Sequence, residues 1–449
     1  MDILNLHKVY FIGIGGIGMS ALARFFNERK VNVSGYDKTQ TPLCKQLEAE
    51  GISIHYQEDL QSIPRDAELV VYTPAIPQSM AELVWYRENN YTVVKRSDVL
   101  QYISQSMQSV CIAGTHGKTT ISTMTAHLLR HTGYGCNAFL GGISGNYGVN
   151  YWSSEKPNAV IEADEYDRSF LKLFPFIGVV TAMDPDHLDI YGTAEEMERC
   201  YLQYINQITG TLIYKHGLAR SREFDAPAML SYSLQNEAAH YYASDIRMHQ
   251  GTYTFNFNKN GEVLGELHLN VGGMHNVENA VAALAVCDLL KIEFSKVQEA
   301  MAAYNGVKRR FEYVVKNEDH IYIDDYAHHP EELRMLISSA RALFRGKTLR
   351  VVFQPHLFSR TRDFADGFAA SLDLADEVIL LDIYPARELP MEGVSSQMIF
   401  DRMALNNKHI LSKEATLEWV KASNPELLIT AGAGDIDLFV NPIKHILES

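Results

Sequence analysis

Lys8-Val-Tyr-Phe-Ile12 runs into Gly13-Ile-Gly15-Gly16-Ile17-Gly18, and further along Val110-Cys-Ile-Ala113 runs into Gly114-Thr115-His116-Gly117-Lys118-Thr119-Thr120. Each is an apolar run of strand length that breaks into glycines and then opens a segment with apolar residues at helical spacing. Two strand-loop-helix units are therefore predicted, each with a glycine loop that aims backbone N–H groups from a helix N-terminus at a phosphate. In the first unit Asp37 lies about 20 residues past the glycines, after the strand Val31–Gly35, which is the dinucleotide-binding spacing. That pattern does not choose among NAD, FAD and a UDP-sugar, since each contains a diphosphate, and a purely structural glycine turn is the plainer alternative. In the second unit Ile112 stands where the strict phosphate-loop pattern has glycine. Its mechanics survive: Gly117 opens the loop, Lys118 offers a charge to the β/γ-phosphates and Thr119 a hydroxyl to Mg²⁺.

Working outward, Glu68–Thr73 reads as a later strand of the first sheet, closed by Pro74 and Pro77. The first domain is expected to cover residues 1–107, a central domain 108–311 and a third domain 312–449. Central strands are expected to end at Glu162 and Thr181, with a helix after Asn276, while 225–269 is less clear apart from an alternating stretch at Thr252–Phe257. In the third domain Ile321–Ile323, Val351–Phe353, Val378–Leu381 and Leu427–Thr430 each run into a polar turn. Strands alternating with helices imply an α/β fold with parallel sheets and ligands at the strands' carboxyl ends.

At 449 residues the chain exceeds what one core usually supports. A net charge of -15 argues against nucleic-acid binding through a basic surface, and no stretch approaches the length of a membrane span. The apolar stretch Val9–Phe26 is broken by four glycines and lacks a basic leader, so a cytoplasmic protein is expected. Five scattered cysteines without a C-x-x-C pair read as reduced thiols, not a disulfide framework or zinc site.

Acidic and basic clusters fall at the predicted strand ends. Glu162-Ala-Asp164-Glu165-Tyr-Asp167 and Asp184-Pro-Asp186-His187 would lie beside the second loop, where hard oxygen ligands suit Mg²⁺. His187 is a less usual magnesium ligand, so a structural histidine is nearly as good a reading. Asp324-Asp325-Tyr326-Ala-His328-His329-Pro330 gathers two acids and two histidines, and Gln354-Pro-His356-Leu-Phe-Ser-Arg360-Thr-Arg362 sets arginines where they can grip a carboxylate or simply cover the surface.

Taken in order, these motifs together with Gly273-Met-His275-Asn276-Val-Glu-Asn279 and Lys308-Arg309-Arg310-Phe311 resemble the Mur ligase family over nearly the whole chain. The resemblance implies a Rossmann-like UDP-sugar domain, a central P-loop-type ATPase domain and a C-terminal Rossmann-like domain that takes the amino acid. It implies ATP-driven joining of L-alanine to UDP-N-acetylmuramate through an acyl phosphate, with ATP and Mg²⁺ required, by a monomer or weak homodimer. The UDP-sugar is expected on Gly15, Gly16, Ile17, Gly18, Asp37 and Thr73. ATP is expected on Gly114 to Thr120, with adenine against His275, Asn276 and Asn279 and ribose against Asp325. Thr119, Glu162 and His187 are the implied metal ligands. Lys118, Arg310 and His328 would act at the transferred phosphate, and Tyr326, His356 and Arg360 would line the amino-acid and carboxylate pocket.

Two departures, at Leu357 and at Tyr166 where serine is common, and one absence bear on this reading. Leu357 replaces an arginine common in the alanine-adding members, which puts more weight on Arg360 or Arg362. No lysine occurs between Asp189 and Tyr214, where sister ligases carry a carbamylated one, which favours the alanine-adding branch. A murein-peptide recycling ligase of the same fold is the nearest alternative. A nicotinamide-dependent oxidoreductase or a P-loop switch would each account for only one of the two loops.

Overall fold

Val9, Tyr10, Phe11 and Ile12 are all fully buried, so the first strand has covered faces on both sides, the signature of a parallel sheet between helices. In the computed structural model, which describes residues 5–185, 188–386 and 388–449, five strands form that sheet. They are β1 (Lys8–Ile12), β2 (Asn32–Tyr36), β3 (Ser53–His55), β4 (Leu69–Tyr72) and β5 (Val93–Lys95), all parallel, in the order β3-β2-β1-β4-β5. Strand order reverses between β1 and β4, and a doubly wound sheet takes its ligand outside the carboxyl ends at such a point.

The second sheet comprises β6 (Gln108–Ala113), β7 (Asn137–Phe139), β8 (Tyr151–Trp152), β9 (Asn158–Glu162), β10 (Ile177–Val180), β11 (Thr211–Lys215), β12 (Ala228–Ser233), β13 (Tyr241–His249), β14 (Thr252–Lys259) and β15 (Glu262–Leu269). Its order is β15-β14-β13-β12-β11-β10-β6-β9-β7-β8. What matters for chemistry is that β6 lies between β9 and β10, in parallel with both, with Ile112 opposite Glu162 and Ala113 opposite Val180. The third sheet holds β16 (Glu312–Lys316), β17 (Ile321–Asp325), β18 (Leu349–Phe353), β19 (Glu377–Leu380), β20 (Lys408–Ile410) and β21 (Leu427–Ala431), ordered β16-β17-β21-β18-β19-β20. It is parallel except for β16.

Two compact units result: the chain up to Ser244 with Asn256–Leu267 and Glu278–Ala303, and Asp245–Phe255 with His268–Val277 and Tyr304–Ser449. Within the first, one apolar cluster runs from Val9, Phe11, Phe25 and Phe26 to Phe139, Tyr151 and Phe170, so the first two sheets share a core. Arg24, 4% exposed, crosses that contact. Its guanidinium pairs with Glu50 at 2.8 Å and donates to the Asn150 side chain. A charge at such depth is held only because both ends of its fork are satisfied.

The helices Ile17–Glu28 and Lys118–His131 follow the two glycine loops as their spacing predicts. The strand expected to stop at Ile323 runs on through Asp325. Polarity does not end it because the Asp324 carboxylate, fully buried, accepts from Arg309 Nε at 3.0 Å and Thr430 Oγ1 at 2.5 Å. The helix expected after Asn276 begins at Met274. The three-residue strands β3 and β5 have no legible pattern in the sequence, being too short for alternation to show.

His127 on the Lys118–His131 helix is 1% exposed. One ring nitrogen, Nε2, meets the Ala300 carbonyl at 2.8 Å and the other, Nδ1, the Tyr147 hydroxyl at 3.0 Å. Donation from Nε2–H and acceptance at Nδ1 describe a neutral ring, and burial pushes its pKa down to about 4. Between that value and the unfolded value near 6.5 the unfolded chain binds the extra proton, so stability falls as pH drops through this window. The expected loss reaches on the order of 3 kcal/mol at its lower end. Thermal unfolding scanned from pH 7.5 to 4 should show it, and His127→Gln should flatten the slope by about one proton; an unchanged slope would assign the acid sensitivity elsewhere.

Candidate active site

Burial of β6 on both faces sets the site in the second sheet, because it fixes where the chain emerges at the strand's carboxyl end. There Gly114 has φ +135°, and a Cβ on it would lie 2.0 Å from Thr181 Oγ1. Only glycine lets the loop come this close to the end of β10. Thr115 N–H then donates to the Ala182 carbonyl at 3.2 Å, Thr181 Oγ1 donates to the His116 carbonyl, and Asp184 N–H donates to Thr115 Oγ1 at 3.2 Å. Gly117, at φ +78°, is the N-cap that turns the chain into the helix. The N–H groups of Lys118, Thr119 and Thr120 occupy its first turn, where no intrahelical acceptor exists, and form an anion-binding mouth. Asn279 Oδ1 lies at this loop, 2.9 Å from where a Cβ on Gly117 would sit.

Acids from the neighbouring strand end face that mouth. Lys118 Nζ is 2.7 Å from Glu165 Oε2 and donates to the Gly114 carbonyl at 2.7 Å. Glu165 is 1% exposed, and burial raises its carboxyl above the ordinary range while Lys118 opposes the shift. Glu162 accepts from Thr119 Oγ1 at 2.9 Å, Ser122 Oγ at 3.3 Å and Gly141 N–H at 2.9 Å. A carboxylate and a hydroxyl sharing one spot beside an anion-binding helix end fit Mg²⁺, which takes one or two protein oxygens and completes its shell with phosphates and water. His187, with Asp186, lies outside the described residues.

At the first glycine loop Gly13 and Ile14 donate to the Tyr36 carbonyl at 2.8 and 3.0 Å, which folds the loop over the end of β2. Asp37 Oδ2 accepts the Gly15 N–H at 2.8 Å, so in this structure the acid props the loop. Gly16 is the N-cap, Ile17 and Gly18 open the helix, and the Thr73 methyl packs against Gly13.

The second unit assembles the other candidates. Asp325 accepts the Phe311 and Ala327 N–H groups at 2.6 and 2.7 Å, and burial raises its carboxyl. Asp324 belongs to the Arg309 ion pair; burial pushes its carboxyl to about 7 against the pull of that cation. His329 caps the Pro330–Leu343 helix in a capping box with Glu332. In the acid and histidine cluster, His328 makes no helix cap and keeps a nitrogen for chemistry. Its Nδ1 meets the Tyr326 carbonyl at 2.9 Å, and burial lowers its pKa, which keeps it neutral at pH 7 with Nε2 as the acceptor. Its ring lies 5.2 Å from that of Tyr326 and 6.2 Å from that of His356, and Arg360 and Arg310 both act on its charge. Arg310 is exposed and its guanidinium carbon is 5.5 Å from the Tyr326 ring.

Leu357 adopts φ +69°, the turn that ends β18 and starts the short Phe358–Asp363 helix carrying Arg360. Arg360 Nη1 is buried with no hydrogen-bond partner among the described residues, whereas Arg362 is spent on Asp363 at 2.7 Å at the surface. This favours Arg360 over Arg362 as a carboxylate grip. His275 and Asn276 open the Met274–Leu289 helix. There Asn276 Nδ2 donates to the Gly272 carbonyl at 2.6 Å and the His275 ring lies against Gly273.

Glu165 as the partner of Lys118, and Ser122 and Gly141 as partners of Glu162, were not singled out by the sequence. Glu165 had a signal in its place at a strand end three residues after Glu162; Ser122 had only its helical spacing from Thr119, and Gly141 had none.

Family models match three consecutive stretches: Mur ligase family, catalytic domain, over residues 8–107; Mur ligase middle domain over 112–287; and Mur ligase, glutamate ligase domain, over 309–434. The chain belongs to the Mur ligase family. Within it the chain is similar to a UDP-N-acetylmuramate–L-alanine ligase of Porphyromonas gingivalis, at 46% identity over 99% of this chain and 100% of that one. It is likewise 44% identical to the ligase of that name in Cytophaga hutchinsonii, over 100% of this chain and 98% of the relative. Among solved structures, the UDP-N-acetylmuramate–alanine ligase of Thermotoga maritima superposes with a TM-score of 0.83 at 28% identity, covering 98% of both chains. A murein peptide ligase of Psychrobacter arcticus shares the fold at a TM-score of 0.68 and 20% identity over 98% of both.

Two outcomes follow from this geometry. Glu162→Gln keeps the shape and one acceptor oxygen, enough for the Gly141 N–H, but removes the charge and the second oxygen, so the Mg²⁺ concentration needed for half-maximal ATP turnover should rise several-fold; an unchanged requirement would make Glu162 structural. Losing a buried charge-assisted hydrogen-bond pair costs about 2 to 5 kcal/mol. Arg360→Ala should therefore lower kcat/KM for the amino acid or the sugar acid by roughly 30-fold or more, with ATP binding unaltered. Arg360→Lys should recover only part, because an ammonium lacks the planar fork. Constants within twofold of the parent would make Arg360 a packing residue.

Proposed function

We propose that the chain joins the amino group of L-alanine to the carboxylate of UDP-N-acetylmuramate, converting ATP to ADP and phosphate, in the synthesis of the cell-wall precursor. The observation that carries this reading is the pair of glycine-loop helix mouths, each at the carboxyl ends of parallel strands. Full-length similarity to ligases bearing that name supports it. One mouth suits the diphosphate of the UDP-sugar and the other the phosphates of ATP. Residues 1–107 would take the UDP-sugar, 108–311 ATP, and 312–449 the amino acid, in a cytoplasmic enzyme that is a monomer or weak homodimer.

A carboxylate resists amines because oxide is a poor leaving group. One oxygen of the muramate carboxylate attacks the γ-phosphorus of ATP, the bond to the ADP oxygen breaks, and an acyl phosphate forms. The alanine ammonium gives one proton to a base, the freed amine attacks the carbonyl carbon, the C–O bond to phosphate breaks, and a second proton leaves the nitrogen as the amide forms. Catalysis of the first step is positioning and charge neutralisation. Lys118, already directed across the loop mouth, meets the phosphoryl charge. The N–H groups of Lys118, Thr119 and Thr120 hold the phosphate oxygens, and Arg310, exposed, would add a cation. Mg²⁺ held by Thr119 and Glu162 would further neutralise the phosphates. His328, neutral at pH 7 through burial, has Nε2 available to take a proton from the incoming amine. Arg360 would grip the alanine or muramate carboxylate in the fork geometry suited to it.

Phosphate release measured with UDP-N-acetylmuramate and a panel of L-alanine, glycine, L-serine and a cell-wall peptide tests the reading. Turnover that requires both the UDP-sugar and ATP and is fastest with L-alanine is expected. Preference for the peptide would move the chain to the recycling branch, and turnover of NAD(H) with no response to the UDP-sugar would overturn the assignment.

A further inference from the structure

Within the first unit, the segment after β9 spends each of its next three carboxylates on a cation, and two of those cations lie at the glycine loops. Asp164 Oδ2 is 3.3 Å from Arg96 Nη2, Glu165 Oε2 is 2.7 Å from Lys118 Nζ, and Asp167 Oδ2 is 3.0 Å from Lys95 Nζ. Lys118 belongs to the second glycine loop. Arg96 serves the first: a Cβ on Gly18 would lie 2.4 Å from its Nη1, so the guanidinium rests on the opening turn of the Ile17–Glu28 helix. A stretch of four residues thus touches both phosphate mouths. Its backbone is also strained, with Asp167 and Arg168 consecutively left-handed at φ +52° and +55°, a pairing that L side chains avoid unless the surroundings impose it. Asp167 pairs there with Lys95 at 3.0 Å, and Arg168 lies 3.4 Å from Glu196.

We propose that this segment couples the two nucleotide sites, Asp164 and Glu165 holding Arg96 and Lys118 as phosphates later will, so that filling the second loop releases Arg96 to grip the diphosphate at the first. The inference rests on the substrate reading above and adds to it an unassigned diphosphate ligand, Arg96, and its release. ATP phosphates compete for Lys118. Glu165 is then left with a carboxylate almost shut off from water and no full counter-charge, a state the fold resists strongly. Displacing the segment relieves it, and Asp164, adjacent in the chain, moves too. The Arg96–Asp164 contact is the one to yield, being the longest of the three and 38% exposed at its carboxylate. Arg96 then offers two parallel N–H donors to a diphosphate, a geometry lysine does not have. By linkage the UDP-sugar must tighten ATP binding by the same factor.

Calorimetric titration of UDP-N-acetylmuramate into the full chain, with and without a saturating non-hydrolysable ATP analogue and Mg²⁺, tests this. The analogue should tighten the UDP-sugar by about 5- to 150-fold, the usual span of coupling between sites. Asp164→Asn keeps the oxygen that accepts the Tyr166 N–H at 3.1 Å and replaces the charged oxygen that holds Arg96 with a neutral NH2. It should bind the UDP-sugar tightly without the analogue, which then adds less than about twofold, near the spread of context effects. Arg96→Ala should bind weakly in both conditions. Equal wild-type affinity with and without the analogue, or full analogue dependence in Asp164→Asn, would overturn the coupling while leaving the substrate reading intact. Absence of UDP-sugar binding by the wild type in both conditions would overturn the two together.

Discussion

A gap too narrow for a side chain governs the second sheet. Gly114 passes so close to Thr181 that a β-carbon would overlap its hydroxyl oxygen, and this approach is what draws the loop after β6 across the end of β10. From that one contact come the Thr115 and His116 anchors to Ala182 and Thr181, the left-handed turn at Gly117 and the direction of the Lys118–His131 helix. With β9 on the other side of β6, Glu162 and Glu165 meet the same helix end. An alanine at 114 would force the ends of β6 and β10 apart where both are fully buried, so the positions of Lys118 and Thr119 depend on an atom that is missing.

Charge in this protein is placed where burial makes it hard to hold and where a partner answers it. Arg24, Glu165 and Asp324 are nearly excluded from water, and each meets an opposite charge. The pairs are not equivalent. Arg24 ties the first two sheets together through Glu50 and Asn150, and Asp324 with Arg309 fixes the strand from which Tyr326 and His328 emerge. Glu165 with Lys118 differs in that its cation sits at an anion-binding helix mouth, so a phosphate can compete for it. Breaking a buried pair from one side is strongly unfavourable, which suits the first two to fixed structure and the third to a site that must change when a ligand arrives.

Burial also sorts the cluster at 324–329, whose composition alone makes four residues look equally chemical. Asp324 and Asp325 are consumed by Arg309, Thr430 and two backbone N–H groups, and His329 spends one ring nitrogen capping the helix that follows it. His328 is left, neutral because its surroundings disfavour the imidazolium. The same sorting separates Arg360, with a buried nitrogen that has no partner among the described residues, from Arg362, neutralised by its neighbour.

The sequence by itself determined the units of the fold and the chemistry each loop could offer. Runs such as Val9–Ile12 and Val110–Ala113, buried on both faces, must be strands of covered sheets, and glycines followed by helical spacing must open a helix N-terminus toward a ligand. These are local consequences of side-chain period and backbone freedom, so they are written in neighbouring residues. Strand order is not local: nothing between Gln108 and Val180 says that β6 lies between β9 and β10, yet that order decides which acids face Lys118. Short strands such as β3 and β5 escape notice because three residues carry no period. The partners of Arg96, Glu165 and Arg360, or the lack of one, belong to the tertiary structure alone, since hydrogen bonding and desolvation depend on distances of a few ångströms between residues tens of positions apart.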